Sequence, residues 1–420
     1  MKKKYYTFAD KLDQHKSDTL RKKIWYLSDY LQDFSLKYDE NNLCCGIEYL
    51  IDPKYEEPFL TYLQFIIHHD ILGLKNISLP TLWENQTEKK ACAAKELKSL
   101  IDDQYIHFHG EGQISINKEL VDLFNLFDCI AGEISRHVFL AEEFRFPTLL
   151  KTETLKKAGY FNSFPNLWMS VYRLRNDYSV FLNIEKSGGE IDTISFDKSA
   201  YFMPYSLPPT MCYYIYDMFS NSIINGNKSV TAMGKSFRFE NKYSSEYGRL
   251  WDFSIRETVF MGNSKYVTSH LERYRAIFCS VLEMIGLGGF CEYANDPFFM
   301  TQNNYMRINI QKMKKVKAEI RLNIEDNNTL AIASFNTHGQ FIAKSFKLYA
   351  DETKTSFVYT GCIGVGLERF VLAFLSQFGH DNRAWPSIIR DNYKDISKSK
   401  VRSVFLDPIL TNIEKGKNND

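Results

Sequence analysis

The stretch YTGCIGVGLERFVLAFLSQFG, residues 359–379, changes its periodicity halfway along. From Leu367 onward, apolar residues recur at 367, 370, 371, 374, 375 and 378, which is one face of a helix that must pack on a sheet. Ahead of it, Gly364 and Gly366 leave room above the backbone, and Arg369 projects from the first helical turn. The third glycine of the dinucleotide fingerprint is missing, and a lone GxG before a helix is ordinarily a packing turn. Cys362 taken alone is a buried thiol. A phosphate-handling turn, a metal site and a plain strand-to-helix junction all fit these residues.

A second stretch narrows the choice. SFRFENKYSSEYGRLWDFSIRETVFMG, residues 236–262, carries Phe237-Arg238-Phe239-Glu240, a loop rich in serine, tyrosine and lysine, then Arg249, Phe253 and Glu257. Two strands joined by that loop hold both arginines over one face of a sheet. A planar guanidinium forks onto two phosphate oxygens, so the pair suits a bound triphosphate. An exposed hairpin with ordinary ion pairs is the competing explanation.

The chain has 420 residues, of which 44% are hydrophobic and 25% charged, the makeup of a globular protein with two to three units of core. Its 52 basic and 51 acidic side chains provide no overall basic field for nucleic acid or membrane. No signal peptide or apolar run long enough to span a bilayer is evident, so a cytoplasmic location is expected. The eight cysteines include no CxxC pair, which excludes a compact zinc finger. Cys44, Cys45, Cys92, Cys129, Cys279 and Cys291 are read as small core residues.

The first hundred residues read mainly as helices, with DTLRKKIWYLSDYLQDF (18–34) placing Leu20, Ile24, Leu27, Leu31 and Phe34 at three- and four-residue steps. KKACAAKELKSLIDDQYIHFHGEGQISINKELVDLF suggests a helix, a hairpin turning at Gly110–Gly112 and a further helix. That order is compatible with a winged-helix-like module or a cap on a larger domain. Beyond about residue 120, YRAIFCSVLEMIGLG reads as a glycine-closed helix, and AEIRLNI and TLAIASFN as strands. The expected division is an N-terminal extension over 1–115, a catalytic domain over 116–405 and a solvated tail over 406–420.

FRxE, a loop, R-x-x-x-F-x-x-x-E and then GxGxER, in this order, resemble motifs 2 and 3 of class II aminoacyl-tRNA synthetases. MPYSLPPTMCYYIYDMF (203–219) stands where the dimer-forming first motif is expected. Cys212, Glu257 and Cys362, 45 and 105 positions apart, resemble the zinc ligands of the methanogen-type seryl-tRNA synthetases and of their truncated relatives, the amino acid:[carrier protein] ligases. AGYFNSFPNLW, EYANDPFFM, VKAEIRLNI, ASFNTHGQF and HDNRAWPSIIR are similar to the ligases too, so the resemblance covers roughly residues 125–390.

The resemblance implies an α+β fold: a class II antiparallel sheet flanked by helices, preceded here by a mainly helical extension. It implies ATP-dependent activation of a small amino acid, of glycine, alanine or serine type, as an aminoacyl-adenylate. Arg238 would hold the carboxylate and α-phosphate, Arg369 with Arg249 the β- and γ-phosphates, and Glu240 the adenine side. Glu319, Ser334 and Asn336 correspond to nucleotide, magnesium and substrate contacts, and Mg2+ would bridge the phosphates. Two thiolates and a carboxylate leave a four-coordinate Zn2+ one open position, which by family precedent takes the substrate amine. Adenylation needs no base, so His338 and His380 are read as structural. The implied acceptor is the phosphopantetheine thiol of a carrier protein, and the implied assembly is a homodimer. Near-neutral charge and the absence of a long helical hairpin disfavour tRNA. The alternatives are a tRNA, peptide or small-amine acceptor, or a non-catalytic amino-acid-binding paralogue.

Overall fold

The computed structural model describes residues 2–86, 99–190, 196–240, 249–296, 298–299, 304–325 and 328–417. Strands β1 (Lys4–Leu12), β2 (Leu31–Tyr38) and β3 (Cys44–Ile51) form an antiparallel sheet in the order β1-β3-β2, with helices α1 (Gln14–Ile24) and α2 (Glu56–Ile66). The expected helix over 18–34 is therefore two elements. α1 stops at Ile24, a turn in which Leu31 N–H donates to the Ser28 carbonyl reverses the chain, and β2 follows. Leu20, Ile24 and Leu31 are all buried, and their spacing satisfies a helix face as well as a helix, turn and strand. The extension is accordingly a mixed unit of sheet and helix.

Strand β4 (Trp83–Asn85), the hairpin β5 (Ile106–Gly110) and β6 (Gln113–Ile116), and helix α3 (Glu119–Glu133) follow. The hairpin turns where expected, yet it does not form a separate module. Leu100, Ile106 and Leu120 join the principal core, and β4 pairs with a strand of the main sheet. Of these, Leu100, Ile106 and β4, which the expected boundary at 115 assigns to the extension, thus pack with the main sheet. Gly112, at φ +62°, brings the hairpin tip so close to Trp251 that a Cβ would lie 2.5 Å from the indole, and its carbonyl accepts the Trp251 N–H.

The main sheet adds β7 (Glu142–Phe144) and β11 (Lys228–Phe237), β12 (Asp252–Gly262), β13 (Gly289–Tyr293), β14 (Lys317–Glu325), β15 (Asn328–Gly339) and β16 (Tyr359–Gly366), while β8 (Leu150–Lys151), β9 (Ser170–Leu174) and β10 (Ala200–Ser206) make a small satellite sheet. Its order is β4-β13-β14-β15-β16-β12-β11-β7, antiparallel except for β11 with β7. The helices concerned are α4 (Cys212–Met218), α5 (Ser264–Ile285), α6 (Asn304–Met313) and α7 (Leu367–Phe378). α5 is closed by Gly286 in the left-handed conformation, as its sequence predicts.

Alternation along the strands divides the two faces. Ala318, Ile320, Leu322, Phe335, Ile363 and Val365 point into the principal core beneath α3, α5 and α7. The opposite face carries a row of directly paired residues, Glu292, Glu319, Ser334, Gly364 and Glu257, and a second row, Lys317, Asn336, Cys362 and Val259. Glu368 ties α7 to this sheet by accepting the Ser254 N–H at 2.9 and 2.8 Å. The segment expected as a solvated tail is helical over Asp407–Lys417, because Ile409, Leu410 and Ile413 share one side and pack on the principal core. The expected loop over 241–248, Cys92 and residues 418–420 lie outside the described residues.

A buried ion pair inside the extension also ties it to Phe298 and Asn304. Lys23 Nζ lies 2.6 Å from Asp70 and also donates to the Phe298 carbonyl, while Asn304 Nδ2 donates to the same carboxylate at 3.4 Å. Removing one partner from such a pair leaves a buried charge alone, so Lys23→Ala should cost about 3–5 kcal/mol in urea unfolding. A Lys23→Met, Asp70→Leu double variant should recover most of that loss.

Candidate active site

Arg238, Arg249 and Arg369 approach one another over the polar face of the sheet. Arg238 follows directly on β11, where its Nε donates to the Pro209 carbonyl at 3.1 Å and its guanidinium lies 5.3 Å from the Phe253 ring centre. Arg249 donates to Glu240 Oε2 at 3.2 Å. The Glu240 carbonyl accepts the Trp251 indole N–H at 2.6 Å, so the hairpin tip under Trp251 also supports this corner. Arg369, in the first turn of α7, donates to the Ala331 carbonyl at 3.3 Å. Desolvation pushes its guanidinium down to about 10, and the proximity of Arg249 and Arg238 adds to that effect against the attraction of Glu240 and Glu319. Three guanidiniums held against their mutual repulsion concentrate positive charge over this face.

Glu319 and Ser334 stand opposite each other in the first row, with Asn336 donating to Ser334 Oγ at 3.2 Å. Lys317 and Arg321 flank the Glu319 carboxylate at 3.0 and 3.3 Å. Burial acts to raise the Glu319 carboxyl, but these two cations outweigh it and hold it below the ordinary range. Gly364 lies between Ser334 and Glu257 in the same row, and the missing side chain keeps the floor of the cleft low. Gly366 likewise leaves the approach to Arg369 open, since a Cβ there would meet nothing closer than 3.8 Å.

Cys212, Glu257 and Cys362 meet at one end of this floor, although they come from a helix start and two strands. The two buried thiols are close enough to influence each other's charge. That contact, with the nearby His338, holds Cys362 well below the usual thiol range; the same contact, with burial and the charge of Glu257, pushes Cys212 well above it. Burial, with the charge of Cys362, raises the Glu257 carboxyl to about 7. Glu257 accepts hydrogen bonds from the Thr210 hydroxyl and the Cys212 backbone N–H. The expected zinc cage is not formed by the side chains as they stand: among the described residues, no group of three or more histidine, cysteine, aspartate or glutamate side chains is disposed to hold a metal ion. The physical reason is that the carboxylate is turned onto Thr210 and Cys212 N–H, while Cys362 faces the imidazole.

His338, read from sequence as structural, belongs to this cluster: its Nε2 is 3.6 Å from Cys362 Sγ, and its Nδ1 is 3.2 Å from Thr360 Oγ1 and 3.3 Å from the Tyr216 hydroxyl. His380 lies apart, 3.6 Å from Asp103. Asp296 and Lys317 were also missed as site residues. They pair at 2.6 Å, with Gln311 donating to the second Asp296 oxygen at 2.7 Å, and the field of Arg238 reaches Asp296. The available signal was their position inside EYANDPFFM and VKAEIRLNI, the latter alternating Lys317, Glu319 and Arg321 on one strand face. The segment 203–219, expected as the dimer-forming motif, here lines the site: the Pro208 carbonyl accepts Phe237 N–H, and α4 begins at Cys212.

The family model of the class II tRNA synthetase core domain (G, H, P, S and T) matches residues 169–378. The type-2 serine–tRNA ligase of Methanococcus aeolicus is 27% identical over 294 residues, a match covering 68% of this chain and 56% of that protein. Amino acid–[acyl-carrier-protein] ligase 1 of Bradyrhizobium diazoefficiens is 26% identical over 291 residues, covering 68% of this chain and 86% of the ligase. Among solved structures, M. kandleri SerRS in complex with A. aeolicus tRNASec superposes with a TM-score of 0.66 at 15% identity, covering 94% of this chain and 78% of that one. Replacing Glu368 by alanine should strand the buried Ser254 N–H. The expected cost is about 1–3 kcal/mol, read as a lower urea midpoint at unchanged slope.

Proposed function

The chain belongs to the class II tRNA synthetase core family, and on that premise we propose that it activates a small amino acid with ATP and passes the aminoacyl group to the phosphopantetheine thiol of a carrier protein. The observation that carries the reading is the convergence of Arg238, Arg249 and Arg369 beside the buried Cys212, Glu257 and Cys362 cluster. The substrate carboxylate attacks the α-phosphorus of ATP, forming the acyl-phosphate bond as the bond to pyrophosphate breaks. Arg238 steadies the carboxylate and the charge growing at the α-phosphate. Arg369 and Arg249 hold the outer phosphates so that the α-phosphorus stays open to in-line attack. Glu240 meets the adenine side, and Glu319, Ser334 and Asn336 provide oxygen and amide contacts for nucleotide, Mg2+ and substrate. The carboxylate arrives ionised, so no general base is required.

The donor set of Cys212, Glu257 and Cys362 suits Zn2+, since thiolate sulfur and carboxylate oxygen are its ordinary ligands and three of them leave a position open. Zinc bound there would supply a Lewis acid for the substrate α-amine. The chain's own contribution is to lower one thiol, Cys362, below the usual thiol range and to present a carboxylate that can turn from Thr210. Binding the metal would release protons, because both thiols must be deprotonated.

A carrier protein is favoured as acceptor over tRNA by the match spanning 86% of a carrier-protein ligase, against 56% of the synthetase. The neutral charge balance points the same way. A homodimer with a cytoplasmic location completes the proposal. Among the described residues, no helix is long and apolar enough to cross a membrane.

Pyrophosphate exchange into ATP should depend on one small amino acid, and its absence with every amino acid in the presence of zinc would overturn the activation step. Arg238→Gln should lower kcat by roughly 10²–10³-fold. Cys362→Ser should remove bound zinc, measured by metal analysis, together with exchange. Intact-mass analysis of holo-carrier proteins, run beside acid-precipitable tRNA charging, should show the aminoacyl group on the carrier; charging of tRNA alone would exchange the acceptor for the alternative.

A further inference from the structure

Strand β15 carries an extra residue where it passes the thiol cluster. Thr337 pairs with Gly361 and Gly339 with Thr360, so His338 has no counterpart on β16, and Gly339 takes φ +57°. Such a β-bulge redirects the side chain it carries. The half-buried imidazole is fixed at both of its nitrogens. Nε2 stands 3.6 Å from Cys362 Sγ, while Nδ1 meets the Thr360 hydroxyl at 3.2 Å and the Tyr216 hydroxyl at 3.3 Å. These partners belong to the two elements that bear the thiols. Thr360 shares β16 with Cys362, and Tyr216 lies one turn along α4 from Cys212. Cys212, Tyr216 and Cys362 pack in one buried cluster, and the Tyr216 ring meets the imidazole edge-on at 6.0 Å between centres. A second N–H donor, Asn336 Nδ2, lies 3.8 Å from the same Sγ.

We propose that His338 is a positioning residue for the metal centre: it donates Nε2–H to the Cys362 sulfur and, held by Thr360 and Tyr216, keeps in register the strand and the helix whose two thiols bind Zn2+ together. The proposal rests on the zinc reading of Cys212, Glu257 and Cys362 given above. A thiolate ligand has no proton to give and only accepts, so the nitrogen that faces it is the protonated one. That choice fixes the tautomer: Nδ1 keeps its lone pair and takes a hydrogen bond from one of the two hydroxyls. Asn336 supplies the second donor, so the sulfur is steadied from two directions and its remaining lone pairs stay available to the metal. Removing a partner of this kind from behind a ligand typically costs roughly 10–100-fold in metal affinity.

Zinc affinity of the full chain, measured by competition with a chromogenic chelator, tests the assignment. His338→Leu, which keeps bulk and has no N–H, should weaken zinc binding roughly 10–100-fold. His338→Gln, whose amide can donate to the same sulfur, should recover most of that loss. Removing both hydroxyls, in a Tyr216→Phe, Thr360→Val double variant, should weaken zinc roughly threefold to tenfold by freeing Nδ1. His380→Gln, away from the cluster, should have no effect. Wild-type zinc affinity in His338→Leu would overturn the proposal, as would equal losses in His338→Leu and His338→Gln, which would mark the imidazole as a ligand or as packing. Should His338→Leu not fold, the double variant decides, and wild-type affinity there would overturn the proposal. If Cys362→Ser abolishes zinc binding and His338→Leu does not weaken it, the zinc reading stands and the positioning role fails. If the wild-type chain binds no zinc, both fail.

Discussion

The pairing register of the strand over 359–366 with its two neighbours governs the rest of the molecule. Cys362 lies opposite Asn336 on one side and Val259 on the other, and Gly364 lies between Ser334 and Glu257. A slip of one residue would turn Cys362 and Gly364 into the helix layer and bring Ile363 and Val365 into the cleft, because successive side chains point to opposite faces. The buried set Ile363, Val365, Phe335 and Ile320 makes that slip costly. The apolar side of the sheet therefore specifies where every polar group on the other side must stand.

The strand over 252–262 shows how one segment serves both sides. Glu257 points to the thiols, whereas its neighbour Arg256 points the other way and binds Asp128 through two bonds at 2.7 and 2.8 Å and Glu143 at 2.7 Å. These carboxylates hold the Arg256 guanidinium charged despite its burial. The helix over 119–133, which carries Asp128, is thereby fixed to the back of the strand that presents Glu257 on the front. Trp251, just ahead of the same strand, joins the hairpin tip at Gly112 to the Glu240 corner. Elements remote in sequence thus stiffen the arginine cluster without contributing to it directly.

Legibility in the sequence followed the range of the signal. The helix over 367–378 and the strands around it were readable because their burial pattern repeats within a few residues. The cluster of Cys212, Glu257 and Cys362 was readable only through the resemblance of its surroundings, since no local pattern relates residues 45 and 105 positions apart. His338 was passed over because its neighbours Thr360, Tyr216 and Cys362 are contributed by another strand and a helix. Residues 18–34 were misread for a different reason: Leu20, Ile24 and Leu31 face one core by crossing a turn, and their spacing coincides with that of a continuous helix.

The sequence by itself determined the class II architecture, the alternating faces of its strands and the residue types that stand on the polar face. Tertiary structure decided what those residues meet. It joined Trp83–Asn85 to the main sheet, packed Leu100 and Ile106 into the principal core, set Asp296 within the field of Arg238, and turned Glu257 onto Thr210 in place of an open ligand cage. The physical reason is that periodicity encodes which side of an element is buried, a property of its own few residues. Which partner then lies opposite a charge or a thiol depends on pairing and packing between segments hundreds of residues apart.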